Sequence, residues 1–295
     1  MPSEPAREKA AMTVRFGSLW RSAVSGLCFA VFAVLIVFAA LVLLPIFRIL
    51  PGDRTRRARR LVSFGLRIPY AWFSLLGLGD IRVEGRAWLA EAPCRLLVAN
   101  HPCFVDIVVM LAQLPEANCI MKDALMRHPL FAPFARAAGY ISNASGPLET
   151  VAACRRAKER GEAIVIFPEG SRTRPDALPR FQRGAAQIAL RAEMEILPVT
   201  ITCTPPVLTH GRPWYAMPPR RVRYVIRFHR PRPPASFADA GGLALPLAAR
   251  RVTRGMENWF RQRLQAVEAM KAEIPDGPHA VQAGDTPLEA GRSQR

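Results

Sequence analysis

The chain has 295 residues, enough for one globular domain of ordinary size and a short membrane segment. Half of the residues are hydrophobic and 22% are charged, which excludes a chain disordered throughout. Lys plus Arg number 41 against 23 Asp plus Glu, and the formal net charge of +18 suits nucleic acid, an anionic membrane surface or an acidic protein.

Residues 1–22 read as an N-terminal tail. From Val24 to Leu44 the sequence VSGLCFAVFAVLIVFAALVLL carries no charge. A bilayer core needs about 20 apolar helical residues. The run is too long for the apolar part of a signal peptide, and no small-residue cleavage site follows it. Pro45, Arg48 and the basic run Arg54, Arg56, Arg57, Arg59 and Arg60 follow instead. The segment therefore reads as a retained anchor, and the arginine balance places its C-terminal side in the cytoplasm. A second apolar stretch, Leu61–Gly79, contains Arg67, Pro69, Tyr70 and Trp72. It is expected either as a helix pair dipping into or lying on one leaflet, or as an ordinary buried helix. Residues 23–79 thus form the membrane anchor and interfacial helices.

Residues 80–272 change character. Strand candidates are Ile81–Glu84, Arg95–Ala99, Cys119–Lys122, Ala163–Phe167, Ile196–Ile201 and Val222–Phe228. Helices are expected between Ser145 and Gly161, from Gly184 to Glu195, and along the periodic series Val252, Met256, Trp259, Phe260, Leu264. Pro198 implies an edge position or a bulge. Strands alternating with helices give an α/β fold, a mixed sheet flanked by helices, with N-terminal membrane-anchoring helices. Residues 273–295 are polar, rich in Gly and Pro, and expected to be disordered.

The six cysteines, Cys28, Cys94, Cys103, Cys119, Cys154 and Cys203, are scattered, with no Cys-x-x-Cys pair. That argues against a zinc site or a disulfide framework and fits a reducing compartment. No aromatic-basic recognition motif accompanies the charge, so no nucleic-acid partner is expected.

Two segments carry chemistry. In Leu96–Asp106, LLVANHPCFVD, an apolar strand ends at Asn100 and a helix is expected to begin near Cys103. His101 then sits at a strand-to-helix corner, where side chains of α/β sheets face a ligand crevice. Asp106, in the first helical turn, can reach back to the imidazole and is favoured near a helix N-terminus. Asp106 would hold the ring tautomer, and His101 would accept a proton from a substrate hydroxyl that attacks an acyl thioester. In Ala163–Thr173, AIVIFPEGSRT, a strand runs into Pro168, Glu169, Gly170, Ser171 and Arg172. Gly170 permits close backbone approach to a ligand. Arg172 offers donors suited to phosphate. Glu169 can bind a substrate hydroxyl or hold Arg172.

Asn100-His101-Pro102-Cys103-Phe104-Val105-Asp106 resembles the N-H-x-x-x-x-D block of the glycerolipid (lysophospholipid) acyltransferase family, of the 1-acylglycerol-3-phosphate type. Phe167–Thr173 resembles its F-P-E-G-(S/T)-R block, Ile196–Val199 its later apolar-Pro block, and Gly139-Tyr140-Ile141 occupies the place of its second block. The resemblance covers roughly residues 80–228. It implies an O-acyltransferase with His101 as base and Asp106 as its partner. It also implies that Glu169, Gly170, Ser171 and Arg172 shape the acceptor site. The donor would be acyl-CoA or acyl-carrier protein, with no cofactor and no metal. Membrane lipids would be its other partners, at the cytoplasmic face of a bacterial-type inner membrane.

Two departures matter. Cys103 stands where the family often has Ser, which opens an acyl-cysteine route, although direct attack needs only the His–Asp pair. Residues 139–145 lack the arginine that commonly binds the acceptor phosphate. Either Lys122, Arg155 or Arg172 supplies that charge, or the acceptor is another lysophospholipid, an ornithine-type lipid or a specialised lipid. A catalytically silent, membrane-surface lipid-binding protein is the competing class. Arg174, Arg180 and Arg183 are candidates for docking an acidic acyl-carrier protein.

Overall fold

A computed structural model describes residues 4–173, 177–209, 217–218, 220–239 and 241–273. Arg174 and the C-terminal segment expected to be disordered fall outside them, apart from Glu273. Helix α1 (Glu4–Phe38) continues through a π-helical turn (Ala39–Leu43) into α2 (Leu44–Ile49). Within it, Leu19–Phe47 is long and apolar enough to cross a membrane, and its most apolar 18-residue window has a mean hydropathy of 3.2. Leu19, Trp20, Leu27, Val34 and Leu41 are exposed, as a lipid-facing helix requires. One stripe is not exposed. Arg21 Nη1 donates to the Leu78 carbonyl at 3.3 Å, Ser22 Oγ accepts from the Met217 amide at 3.2 Å, and Ser25 is buried.

The stretch Leu61–Gly79 is not a helix pair. Helix α3 (Arg54–Leu75) starts inside the arginine run, capped by Asp53 on the Arg56 amide, and passes through Pro69. It packs along α4 (Asp106–Gln113), which favours the buried-helix alternative on that side, while Phe64 and Leu75 stay exposed. The arginine run is also more structural than its membrane-flanking position implied. Arg59 is buried, bonded to the Ala138 carbonyl at 2.8 Å and paired with Glu162 at 3.0 Å. Arg56 and Arg60 both clasp Glu116 at 2.5 Å.

Seven strands follow among the described residues: β1 (Gly79–Glu84), β2 (Leu96–Ala99), β3 (Asn118–Met121), β4 (Ile141–Ser142), β5 (Ile164–Ile166), β6 (Ile196–Thr204) and β7 (Val222–Phe228). Six match the apolar runs of the sequence. The seventh, β4, is a two-residue edge strand too short to leave a pattern. Their order is β1-β7-β6-β2-β5-β3-β4, and every neighbouring pair is parallel except β6 with β7. The sheet is mixed, as expected.

Alternating side chains feed two apolar layers. Leu97, Ala99, Val165, Val199 and Tyr224 face one side, with Met110 of α4. Leu96, Val98, Ile164 and Ile196 face the other, covered by α7 (Pro147–Glu159), α8 (Gly184–Arg191) and α9 (Leu245–Glu273). Two short helices, α5 (Asp123–Arg127) and α6 (Ala132–Ala137), join β3 to β4. Helix α9 buries Ala249, Val252, Met256 and Phe260 on the domain, so its apolar stripe is a packing face.

Pro198 lies in β6 between two neighbours rather than at an edge. Its missing N–H falls where the pairing slips. Val199 pairs with Phe228 but Ile196 pairs with Arg232, so three steps on one side face four on the other. This is the bulge that proline implies.

Candidate active site

The site forms where β2 stops. Asn100 is buried, and its side-chain amide takes the place of a strand residue. It donates to the Ile201 carbonyl and accepts from the Ile201 amide, both at 2.8 Å. The main chain can then turn away from β6, and His101 stands off the end of the sheet. The helix expected near Cys103 begins at Asp106, three residues later. The Cys103 amide is engaged by the Asp106 carboxylate at 2.9 Å.

The carboxylate of Asp106 is wholly buried. Oδ2 lies 2.6 Å from His101 Nδ1, and Oδ1 accepts from the Cys103 thiol at 3.0 Å and the Tyr224 hydroxyl at 2.8 Å. Four groups surround this carboxylate, and its two oxygens serve all of them as acceptors. An acceptor facing Nδ1 places the ring proton there and leaves the Nε2 lone pair free. The His101 side chain is 19% exposed, so that nitrogen sits at the boundary between core and solvent. The Phe167 ring lies 4.4 Å from the imidazole, tilted by 30°, and limits its rotation.

The second motif reaches the same residue from β5. Glu169 Oε1 accepts the His101 amide at 2.8 Å, and the Thr173 amide donates to the His101 carbonyl at 2.7 Å. Thr173 Oγ1 in turn donates to Glu169 at 2.7 and 2.9 Å. Both main-chain groups of His101 are therefore held by one loop. Gly170 makes that loop possible: its φ is +68°, and a Cβ there would stand 2.8 Å from Gln182 Nε2.

Glu169 does not hold Arg172. Arg172 Nη1 donates to the Leu208 carbonyl at 2.7 Å, which leaves its other donors uncommitted among the described residues. Ser171 is exposed beside it. Lys122 is exposed at the end of β3, where the pairing of Cys119 with Val165 sets it level with Pro168. It therefore shares with His101 the C-terminal end of the parallel strands, as does Arg172. Arg155 does not. It lies late in α7, and its Nη2 caps the end of α8 at the Arg191 carbonyl, 2.5 Å away. Its place near the start of β6, at the opposite end of the parallel strands from His101, sets it apart from the site.

Burial, followed by Cys203 and Asp106, pushes the Cys103 thiol well above its usual range. A buried thiol that donates to Asp106 and stays protonated is a poor nucleophile, which disfavours the acyl-cysteine route. Burial also raises the Tyr224 phenol well above its ordinary value, with Asp106 adding to it. Glu169 is raised by burial, against the pull of Thr173 and the His101 amide. Sequence reasoning missed Asn100, Thr173 and Tyr224. Thr173 and Asn100 belong to the quoted motifs. Tyr224 carries no local signal, since its partner lies 118 residues away.

Residues 80–202 match the family model described as Acyltransferase. A 1-acyl-sn-glycerol-3-phosphate acyltransferase of Cocos nucifera is 30% identical over 115 residues, 37% of either chain. A lyso-ornithine lipid O-acyltransferase of Pseudomonas aeruginosa is 33% identical over 129 residues, 42% of this chain and 47% of the relative. The chain thus spans less than half the length of these curated relatives. The crystal structure of a 1-acyl-sn-glycerophosphate acyltransferase from Thermotoga maritima shares the fold, with a TM-score of 0.57, 18% identity, and coverage of 83% of this chain and 97% of that one.

Proposed function

We propose that the chain, whose residues 80–202 match the Acyltransferase family model, moves a fatty acyl group from acyl-CoA or acyl-carrier protein onto a lysophospholipid hydroxyl, foremost that of 1-acylglycerol 3-phosphate. His101 Nε2 takes the hydroxyl proton while the oxygen attacks the thioester carbonyl. A C–O bond forms, and collapse of the tetrahedral intermediate breaks the C–S bond. The imidazolium, stabilised by Asp106, returns its proton to the departing thiolate. No cofactor or metal takes part. The observation that carries this reading is the 2.6 Å contact between His101 Nδ1 and a fully buried Asp106, which leaves Nε2 as a directed base.

Arg172 and Lys122 supply the cationic edge for the acceptor headgroup. Leu19–Phe47 seats the domain at the membrane, and the arginines that follow favour the cytoplasmic face. Arg180 and Arg183, exposed after the second motif, are the docking candidates for an acidic carrier protein.

A second reading keeps the chemistry and changes the acceptor. It is favoured by the missing arginine at residues 139–145 and by the engagement of Arg155 elsewhere. The Pseudomonas relative, named for a lyso-ornithine lipid, points the same way. The silent lipid-binding alternative leaves the directed imidazole without a task.

The test is transfer of a labelled acyl chain by the purified protein in vesicles. The acceptors are 1-acylglycerol 3-phosphate and lyso-ornithine lipid, and each donor is used in turn. The phosphate acceptor should gain label at least about tenfold faster. Preferential labelling of the lyso-ornithine lipid establishes the second reading, and no label in either lipid rejects both.

A further inference from the structure

We propose that Tyr224 is a positioning residue for the His–Asp pair: through its hydrogen bond to Asp106 it fixes the carboxylate and lowers the proton affinity of the His101 ring. This role rests on His101 being the base, as proposed above.

The strand arrangement delivers the phenol. Ala99, the last residue of β2, pairs with Val199, but β6 continues to Thr204. Strand β7 pairs along this overhang, and Tyr224 faces Cys203 across the antiparallel ladder. The start of β7 thereby comes up behind the first residue of α4. Tyr224 is 1% exposed, and among the described residues its hydroxyl bonds to Asp106 Oδ1, at 2.8 Å.

A buried tyrosine needs an acceptor, and a main-chain carbonyl would serve the fold equally well. Here the acceptor is the one carboxylate that orients the histidine. Asp106 has no access to water, so its donors alone set its charge density. Tyr224 and the Cys103 thiol hold Oδ1, which turns Oδ2 towards Nδ1. Each donor also draws charge from the carboxylate. With one fewer, Asp106 would stabilise the imidazolium more strongly, and the ring would stay protonated to higher pH. A protonated ring cannot act as a base. The phenol itself is a permanent donor, because burial and Asp106 keep its proton in place.

Tyr224→Phe removes one oxygen and keeps the ring. The expected result is a kcat lower by about 10- to 100-fold, with KM for donor and acceptor changed by less than about twofold. The acid limb of the kcat profile should move to higher pH. Histidine-labelled protein in micelles, titrated by NMR without substrate, gives a readout independent of acyl transfer. The His101 signal is identified by its loss in His101→Gln. In Tyr224→Phe that signal should titrate at higher pH than in the wild type, whether or not the acyl-transfer reading stands. Should the phenylalanine chain not fold, 3-fluorotyrosine at position 224 decides. Its more acidic phenol donates more strongly and should move the titration to lower pH. An unmoved His101 titration in the folded variant overturns the proposal, as does a wild-type kcat.

Discussion

Glu169 accepts the main-chain N–H of His101 at 2.8 Å, so the second motif supports the first through the backbone. Glu169→Ala frees this amide and leaves Thr173 without its acceptor. The expected effect is a kcat lower by about 10- to 100-fold, with a smaller change in acceptor KM, measured by steady-state kinetics. The carboxylate also carries a pH signature. Burial raises its folded-state pKa above the unfolded value. Its protonated form is thus favoured by folding. The associated stability is fully present below the unfolded pKa and is lost as pH rises through the folded one. Compared with Glu169→Gln, which does not titrate, the wild type should gain thermal stability as pH falls from neutrality towards the ordinary glutamate range. A constant difference in melting temperature across that window contradicts the assignment.

Cys103 donates to Asp106 and should not carry an acyl group. Cys103→Ser keeps a donor of similar reach, and its kcat should stay within about fivefold of wild type. Intact-protein mass spectrometry after rapid quenching should find no acyl adduct on the wild-type chain. A trapped thioester at Cys103 would restore the covalent route.

Asn100 holds both main-chain groups of Ile201 where β2 ends. Asn100→Ala leaves a buried N–H and C=O without partners, at a cost of about 2–4 kcal/mol in unfolding free energy. Denaturant melts read this directly. A loss below about 0.5 kcal/mol would mean that the strand closes the gap by itself.

Arg172 has donors to spare beyond the Leu208 carbonyl. If they bind the acceptor phosphate, Arg172→Lys should raise KM for 1-acylglycerol 3-phosphate by about tenfold or more with little change in kcat. The same substitution should leave KM for a phosphate-free acceptor unchanged. Equal effects on both acceptors would assign Arg172 to the loop instead.

Much of this is legible in the sequence. The apolar runs gave six of seven strands because fully buried strands are continuous hydrophobic segments. The motif residues His101, Asp106, Glu169, Gly170 and Arg172 all reach one end of the sheet, since the strands preceding them run parallel. What stayed hidden depends on long-range geometry. The arginines at 56, 59 and 60 read as membrane flank, yet they bind Glu116 and Glu162, more than 50 residues away. Arg155 reads as a spare cation until α8 ends beneath it. The bond from Glu169 to the His101 amide is hidden because no sequence pattern shows a carboxylate bound to a main-chain amide. Tyr224 reads as one more core position in an alternating strand.

The most direct measurement compares wild type with His101→Ala in vesicles, following labelled acyl transfer from acyl-CoA to 1-acylglycerol 3-phosphate. The expected result is a rate lower by about 10³-fold, with both proteins melting at the same temperature. A folded His101→Ala chain that retains wild-type turnover would contradict a mechanism in which this imidazole takes the proton.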